Sequence, residues 1–251
     1  FSYSFGGYTN NDAIAKIRGE WLFRRNINLK VGGHVNVYRV SPDYNFSHFS
    51  SNHFAWDWEW GKQNIVDLGA DLTYKNYRVE GNLYLLDHFV LFGPEYTPIQ
   101  VQKFTRVVQL SLYAPIRYKN FGSTFNVMLQ NSSSDSIRVP LFAGKTSVYY
   151  IFNIFKKKLK FQLGVDLMYN TTYYAPAYLP ALYSFYHQEN EMIGNYWFLD
   201  LYATVRISRI YFFARVGNLL SPVQTYRMFT TPYYPTVDHL FTVGINWRFH
   251  D

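Results

Sequence analysis

Within residues 240–249 (Leu-Phe-Thr-Val-Gly-Ile-Asn-Trp-Arg-Phe) every odd-numbered residue is apolar: Phe241, Val243, Ile245, Trp247 and Phe249. Thr242, Gly244, Asn246 and Arg248 alternate with them. Successive side chains of a strand point to opposite faces, so this stretch has one wholly apolar face and one that is polar or small. About ten residues of this pattern, finishing in aromatics, is what a strand crossing a bilayer requires. The constraint gains force if the rest of the chain repeats it.

The repetition runs through the chain. Residues 1–8 alternate briefly, with Phe1, Tyr3 and Phe5 on one face. Residues 12–24 set Ile17, Trp21 and Phe23 against Lys16, Arg18 and Glu20, and residues 27–40 set Leu29, Val31, Val35 and Val37 against Lys30, His34 and Asn36. Residues 54–74 read as one long strand: Trp56, Trp58 and Trp60 keep the parity of Val66, Leu68, Ala70, Leu72 and Tyr74, with Asp67 and Asp71 opposite. Its first part is expected to project beyond the bilayer. Residues 77–90 carry Val79, Leu83 and Leu85 opposite Arg78, Glu80 and Asn82. The same rule gives strands over 104–118, 121–130, 148–154, 159–170, 197–206 and 210–216, with Asp166, Asp200, Arg206 and Arg215 on the polar face.

The connections alternate between tight and long. Arg25-Asn26, Lys75-Asn76, Lys119-Asn120, residues 156–158 and Ser208-Arg209 are tight turns, and the segments between them are long and polar-aromatic. Outer-membrane barrels have this asymmetry, with short periplasmic turns and long extracellular loops. If the last strand ends in the periplasm, every tight turn falls there too. The fold expected is all-β: a transmembrane antiparallel up-and-down β-barrel of about twelve strands, forming a single outer-membrane domain over residues 1–251. The chain opens on Phe1, inside a short strand and without Met or signal peptide. It is therefore expected to be a processed or truncated product, with about fourteen strands or more if N-terminal residues are missing. Hydrogen bonding between residues 1–8 and 240–249 would show closure at about twelve.

Alternation alone does not say which face meets lipid. Three features decide it. The apolar face is free of charge along most strands. The polar face carries both signs at mid-strand. Aromatics gather at strand ends on the apolar face (Trp21, Phe23, Tyr74, Tyr77, Trp247 and Phe249), as interfacial girdles do. Composition agrees: aromatics reach 21% and charged residues only 16%, against about 25% charged in soluble domains. No run of eighteen or so uncharged apolar residues offers a transmembrane helix.

The expected lining of the lumen is Lys16, Arg18, Glu20, Lys30, Asp67, Asp71, Arg78, Glu80, Asp166, Asp200, Arg206, Arg215 and Arg248. Mixed charge of this kind sets up transverse fields that favour small hydrophilic solutes. Alternatively the charges pair and plug a narrow lumen, as in small barrels. The net charge of +7 comes from scattered Lys and Arg rather than one patch, which argues against nucleic acid. Cys is absent, so neither a disulfide framework nor a thiolate metal site is available. No phosphate loop, dinucleotide fingerprint or zinc-protease motif is found. His48 and His53 with Asp43, and His187 with Glu189 and Glu191, share loops but read as solvated rather than as metal sites. Asp57 and Glu59 read as the wet face of a projecting strand. No catalytic residue, cofactor or metal is expected, and the chain is not expected to be an enzyme. The aromatic loop over 173–197 either binds a sugar or a protein, or folds onto its own barrel.

The segments Phe212-Phe213-Ala214-Arg215-Val216-Gly217-Asn218-Leu219, Thr231-Pro232-Tyr233-Tyr234-Pro235 and 241–249 together resemble the closing part of the β-barrel porins of Bacteroidota. TonB-dependent receptor barrels of that phylum end similarly. The resemblance implies an outer-membrane porin-like channel for passive diffusion of small hydrophilic solutes. It also implies recognition of the block from Gly244 to Phe249 by the barrel assembly machinery, although here His250 and Asp251 follow the aromatic. The alternatives are an accessory barrel in a larger secretion or nutrient-uptake complex, meeting outer-membrane partners through its extracellular loops, and the barrel of a TonB-dependent transporter. No plug domain or TonB box is visible for the last.

Overall fold

The computed structural model describes residues 1–24, 28–155, 159–224 and 228–247. The turn at 25–26, the turn at 156–158, Arg248 and Phe249 therefore lie outside the described residues. Twelve strands form one antiparallel sheet: β1 (Ser2–Tyr3), β2 (Ala13–Arg24), β3 (Leu29–Val40), β4 (Gln63–Tyr74), β5 (Tyr77–Asp87), β6 (Thr105–Tyr118), β7 (Phe121–Ser132), β8 (Phe142–Ile154), β9 (Leu159–Asn170), β10 (Trp197–Ile207), β11 (Ile210–Gly217) and β12 (Leu240–Trp247). Each strand hydrogen-bonds to its neighbours in sequence, which is the up-and-down order. Among the described residues β1 pairs only with β2 and β12 only with β11, so the sheet is not closed between them. The alternation over residues 1–8 forms a strand at Ser2–Tyr3 alone.

Register carries the two faces across the sheet, with a shift between Leu22 and Arg24 at the end of β2. Leu112 pairs with Val127, Val127 with Gly144, Val148 with Val165, Val165 with Leu201, Val205 with Phe212 and Phe212 with Ile245. A shift of one residue anywhere would send a row of apolar side chains to the polar face. The apolar face is uncovered: Ile17 is 72% exposed, Leu110 48% and Ile245 65%. A water-soluble sheet would bury this face, whereas a membrane barrel turns it to lipid.

The polar face has its own packing device. Gly122, Gly164 and Gly244 sit directly opposite Tyr149, Tyr202 and Phe213. The aromatic ring lies across the glycine in each pair, in space that a Cβ would occupy. Laying rings flat along the wall shields the backbone there and keeps the rings out of the lumen.

The densest packing lies in the long connections. Trp56, Phe92, Ala177 and Tyr186 form the buried cluster, with Phe46, Phe49, Phe54, Leu179 and Leu182 around it. These residues come from the connections 41–62, 88–104 and 171–196. Short strands Val90–Phe92, Pro98–Gln100, Ala177–Leu179 and Ser184–Tyr186 join into a small sheet, in which Tyr186 pairs with Phe92. This corrects the expectation of one strand over 54–74. Ala55–Asp57 folds back as a hairpin on His48–Ser50, and pairing with β3 begins only at Gln63. The cause is Trp56, which is buried in the loop cluster at 7% exposure and donates its indole N–H to Asn45 O at 2.9 Å. β8 also starts at Phe142, six residues before the expected Val148, because Leu129 of β7 pairs with Phe142.

A charge placed at mid-strand on either face separates the two environments. Leu110→Arg on the apolar face is expected to cost about 2–4 kcal/mol. Ser111→Arg, one residue on and facing the other way, is expected to cost less than about 1 kcal/mol. Urea titration of the refolded protein in phospholipid vesicles reads both. Equal costs would contradict the assignment of the faces.

Candidate functional site

The polar face concentrates its ion pairs in two groups, separated by β6 and β7, whose polar face carries only Arg117 as a charge. In the first, on β2 to β5, Arg18 and Glu20 are two residues apart on β2, and their charged groups meet at 2.9 Å. On β3, His34 Nε2 lies 3.1 Å from Asp67 Oδ1, and Asn36 donates to Asp67 Oδ2 at 2.9 Å. Arg78 meets Glu80 at 2.9 Å and Asp71 at 3.9 Å. Lys30 joins Arg18, Glu20, Asp71 and Arg78 around a small cavity of about 180 Å³. The Lys16 ammonium sits over the Tyr38 ring, 5.3 Å from its centre.

The second group spans β8 to β11. Lys145 Nζ is 3.5 Å from Asp166 Oδ2. Asp166 and Asp200 are direct cross-strand partners. Two carboxylates face to face repel unless each has its own cation or donors. Asp166 has Lys145. Asp200, at 3% exposure, accepts from the Arg215 guanidinium and, at 2.8 Å, from Asn218 N.

Between the groups lies a cavity of about 870 Å³. Its lining runs from Arg78 and Glu80 on β5, past Ser111, Asn126 and Lys145, to Phe198 on β10. Side chains five strands apart border one space, so the sheet curls around it. Leu112, Val127, Met128, Met168 and Phe198 make much of this lining apolar, and Arg78, Glu80 and Lys145 bring charge to it. Thr230, from the connection between β11 and β12, also borders this cavity.

The twelve described members of the expected lining all occupy polar-face positions in the register, from Lys16 and Glu20 on β2 to Arg206 on β10 and Arg215 on β11. They do not form one array; β6 and β7, which carry none of them, divide them. His34, Asn36, Arg117, Lys145, Lys160 and Tyr202 stand on the same face and were absent from that expectation, although the alternation of their own strands places them there. Trp21, Phe23, Tyr74, Tyr77 and Trp247 are exposed on the apolar face near the tight turns, together with Tyr118 and Phe121. The Lys75 and Lys119 ammoniums lie over the Tyr74 and Tyr118 rings, 5.1 and 5.3 Å from their centres.

The long connections form a cap knitted by polar contacts as well as by its aromatic cluster. Arg138 donates to Gln188 O, meets Glu189 at 2.6 Å and lies over the Tyr174 ring. The buried Gln188 side chain donates to Ala175 O and Glu191 O, and accepts from Asn190 N and Glu191 N. Gln100 Nε2 donates to Gly61 O at 2.7 Å, and Gly61 N donates back to Gln100 Oε1 at 3.2 Å. The Tyr196 hydroxyl donates to Phe229 O, which fixes the segment carrying Thr230. The 171–195 loop is thus folded against neighbouring connections. His48 pairs with Asp57 and not with His53 or Asp43, and no metal-binding group of three or more His, Cys, Asp or Glu occurs among the described residues.

Titration in the cap follows this packing. Burial raises the Asp12 carboxyl, but hydrogen bonds from Lys62 and Ser41 and the Lys62 charge outweigh it, and its pKa falls below the usual value. Burial pushes the Tyr186 hydroxyl up to about 12, with Tyr96 adding to the effect. His187 is lowered by burial first and by the Arg138 charge second, with Glu189 opposing.

The sequence profile of a protein family described as "Putative porin" matches residues 1–251, the whole chain. No curated protein and no solved structure matches it.

The depressed His187 fixes the sign of a pH response. In the unfolded cap the imidazole binds its proton near the ordinary value of about 6.5, and in the folded cap it does so only at lower pH. The stability linked to it is therefore complete above about pH 6.5 and is lost as pH falls through the folded value. Hydrogen exchange over 171–196, corrected for intrinsic rates, is expected to accelerate as pH falls below about 6.5. His187→Gln is expected to flatten that dependence, and an unchanged profile in this variant would refute the assignment.

Proposed function

The chain belongs to this porin family, and from that premise we propose that it is an outer-membrane channel through which small hydrophilic solutes diffuse passively. The observation that carries the reading is the cavity of about 870 Å³ on the polar face, lined by apolar and neutral groups together with Arg78, Glu80 and Lys145, between two patches of paired charge. Ion pairing along the walls would plug a narrower lumen. Here the pairs form along or between adjacent strands, as Arg18–Glu20, Arg78–Glu80 and Lys145–Asp166 do, and the space between the patches stays open. Transverse fields from such walls orient water and exclude apolar solutes.

On this reading residues 1–251 act as a single barrel domain, and the polar-face charges line the route. The tight turns and the final strand face the periplasm, the cap faces outward, and the strand from Gly244 engages the barrel assembly machinery. The solute passes without chemical change. The cap narrows the outer mouth, and the segment held by Tyr196 brings Thr230 to the cavity edge.

Planar bilayers containing the folded protein test this directly. Stepwise conductance is expected, and Thr230→Trp is expected to lower the single-channel value to about half or less by filling part of the cavity. A bilayer that stays sealed with verified folded protein would overturn the channel assignment.

A further inference from the structure

The polar-face rung nearest each tight turn shows a pattern that neither a porin assignment nor the mixed-sign walls require. In the five hairpins these rungs are Leu22 with Lys30, Thr73 with Arg78, Arg117 with Gly122, Asn153 with Lys160, and Arg206 with Tyr211. Each holds one cation, one uncharged partner and no carboxylate. The acids begin deeper, at Asp71 opposite Glu80 and at Glu20 opposite Gly32. With 24 basic and 17 acidic residues in the chain, composition alone would put acids on some of these rungs.

Local pairing leaves most of this charge uncompensated. Arg78 is answered by Glu80 at 2.9 Å. Arg206 donates from Nε to Ser208 O at 3.0 Å and lies 5.3 Å from the Tyr211 ring centre, contacts that hold the guanidinium without neutralising it. Lys30, Arg117 and Lys160 have no carboxylate at ion-pair distance among the described residues. Lys160 and Arg206 are direct cross-strand partners, like charges side by side. Such a pair is unfavourable unless an anion is shared between them. Lys75 and Lys119, at the turn tips, lean instead on the girdle tyrosines and belong to the lipid side.

We propose that Lys30, Arg117, Lys160 and Arg206 form a basic collar at the tight-turn mouth that concentrates small anions, and that the solutes favoured by the channel carry carboxylate or phosphate groups. The inference rests on the channel reading and adds its selectivity. Rings of Lys and Arg select anions in pores, and a mouth lined by one sign of charge raises the local concentration of counter-ions. At physiological ionic strength the field reaches about 8 Å into solution, so the collar acts on solutes at the mouth rather than at a distance. The carboxylates deeper in the wall are already paired, and an anion passing the collar meets few unanswered negative groups.

Two measurements test it. In planar bilayers across a potassium chloride gradient, the reversal potential is expected to show chloride permeating faster than potassium. The quadruple variant K30Q/R117Q/K160Q/R206Q is expected to lower that ratio by roughly threefold or more while still conducting. K160Q alone is expected to act in the same direction if the quadruple variant fails to fold. Conductance without anion preference, or a preference unchanged in these variants, overturns the collar and leaves the channel standing. Amine labelling of Lys30 and Lys160, read by peptide mass spectrometry, does not depend on conductance. In phosphatidylcholine vesicles, inorganic phosphate is expected to slow labelling at both, and glucose is not. Absence of protection by phosphate overturns the collar. Protection that instead requires phosphatidylglycerol, with no phosphate present, also overturns it, by assigning these cations to lipid headgroups.

Discussion

Hydrocarbon offers no partner to a backbone N–H or C=O. A chain that crosses it with strands must satisfy those groups strand to strand. That requirement fixes long, in-register, antiparallel neighbours, and the strand period of two then divides every side chain between lipid and lumen. The rest of this structure follows from that division. The apolar face needs no protein partner, so Ile17, Leu110 and Ile245 remain uncovered. The polar face cannot pack as an apolar core, so it uses ion pairs along its wall and aromatic rings laid over Gly122, Gly164 and Gly244.

A protein built this way has its hydrophobic core in an unusual place. The strands contribute little to it. Nearly all of the buried apolar side chains lie in the connections, with Val107 the exception among the membrane strands. The cap is thus the part that behaves like a water-soluble fold, with an aromatic cluster, a buried Gln188 side chain whose amide is bonded at both ends, and titrating groups displaced by burial. The sheet is stabilised by backbone pairing and by lipid instead. The two parts respond to different conditions: pH and polar substitutions act on the cap, while charge on the apolar face acts on the strands.

How much was legible in the sequence follows the same boundary. Parity placed the walls, their faces and the tight turns at 75–76, 119–120 and 208–209, because it depends only on residues two apart and survives every register that keeps the apolar side out. Parity also misled where it persisted by coincidence. Trp56, Trp58 and Trp60 keep step with Val66, yet Trp56 is held by Asn45 and by the aromatic cluster, and the chain turns back there. The cap was not legible because its contacts join residues far apart in aperiodic segments, such as Tyr186 with Phe92 or Arg138 with Glu189. The division of the lumen charges into two groups was likewise hidden. Each charge is visible on its own strand, but which charges stand opposite one another is a property of register.

Register also explains why the charge pattern has a direction. Along a single strand, Arg117 and Lys160 look like ordinary basic residues near turns. Set beside Gly122 and Asn153, they match Lys30 and Arg206: each is the basic member of the polar-face pair nearest its turn, and none of the four has a carboxylate at ion-pair distance among the described residues. One level deeper, Asp71 and Glu80 share a rung and both lie within reach of Arg78. On the proposed channel reading, a solute entering from the turn side meets positive charge first and compensated charge next. Mixed charge arranged at random would orient solutes without preferring a sign. Charge sorted by depth does both, and the sorting is achieved by placing one basic residue two positions inside each hairpin, where its long side chain reaches the mouth and its neighbour across the strand is uncharged.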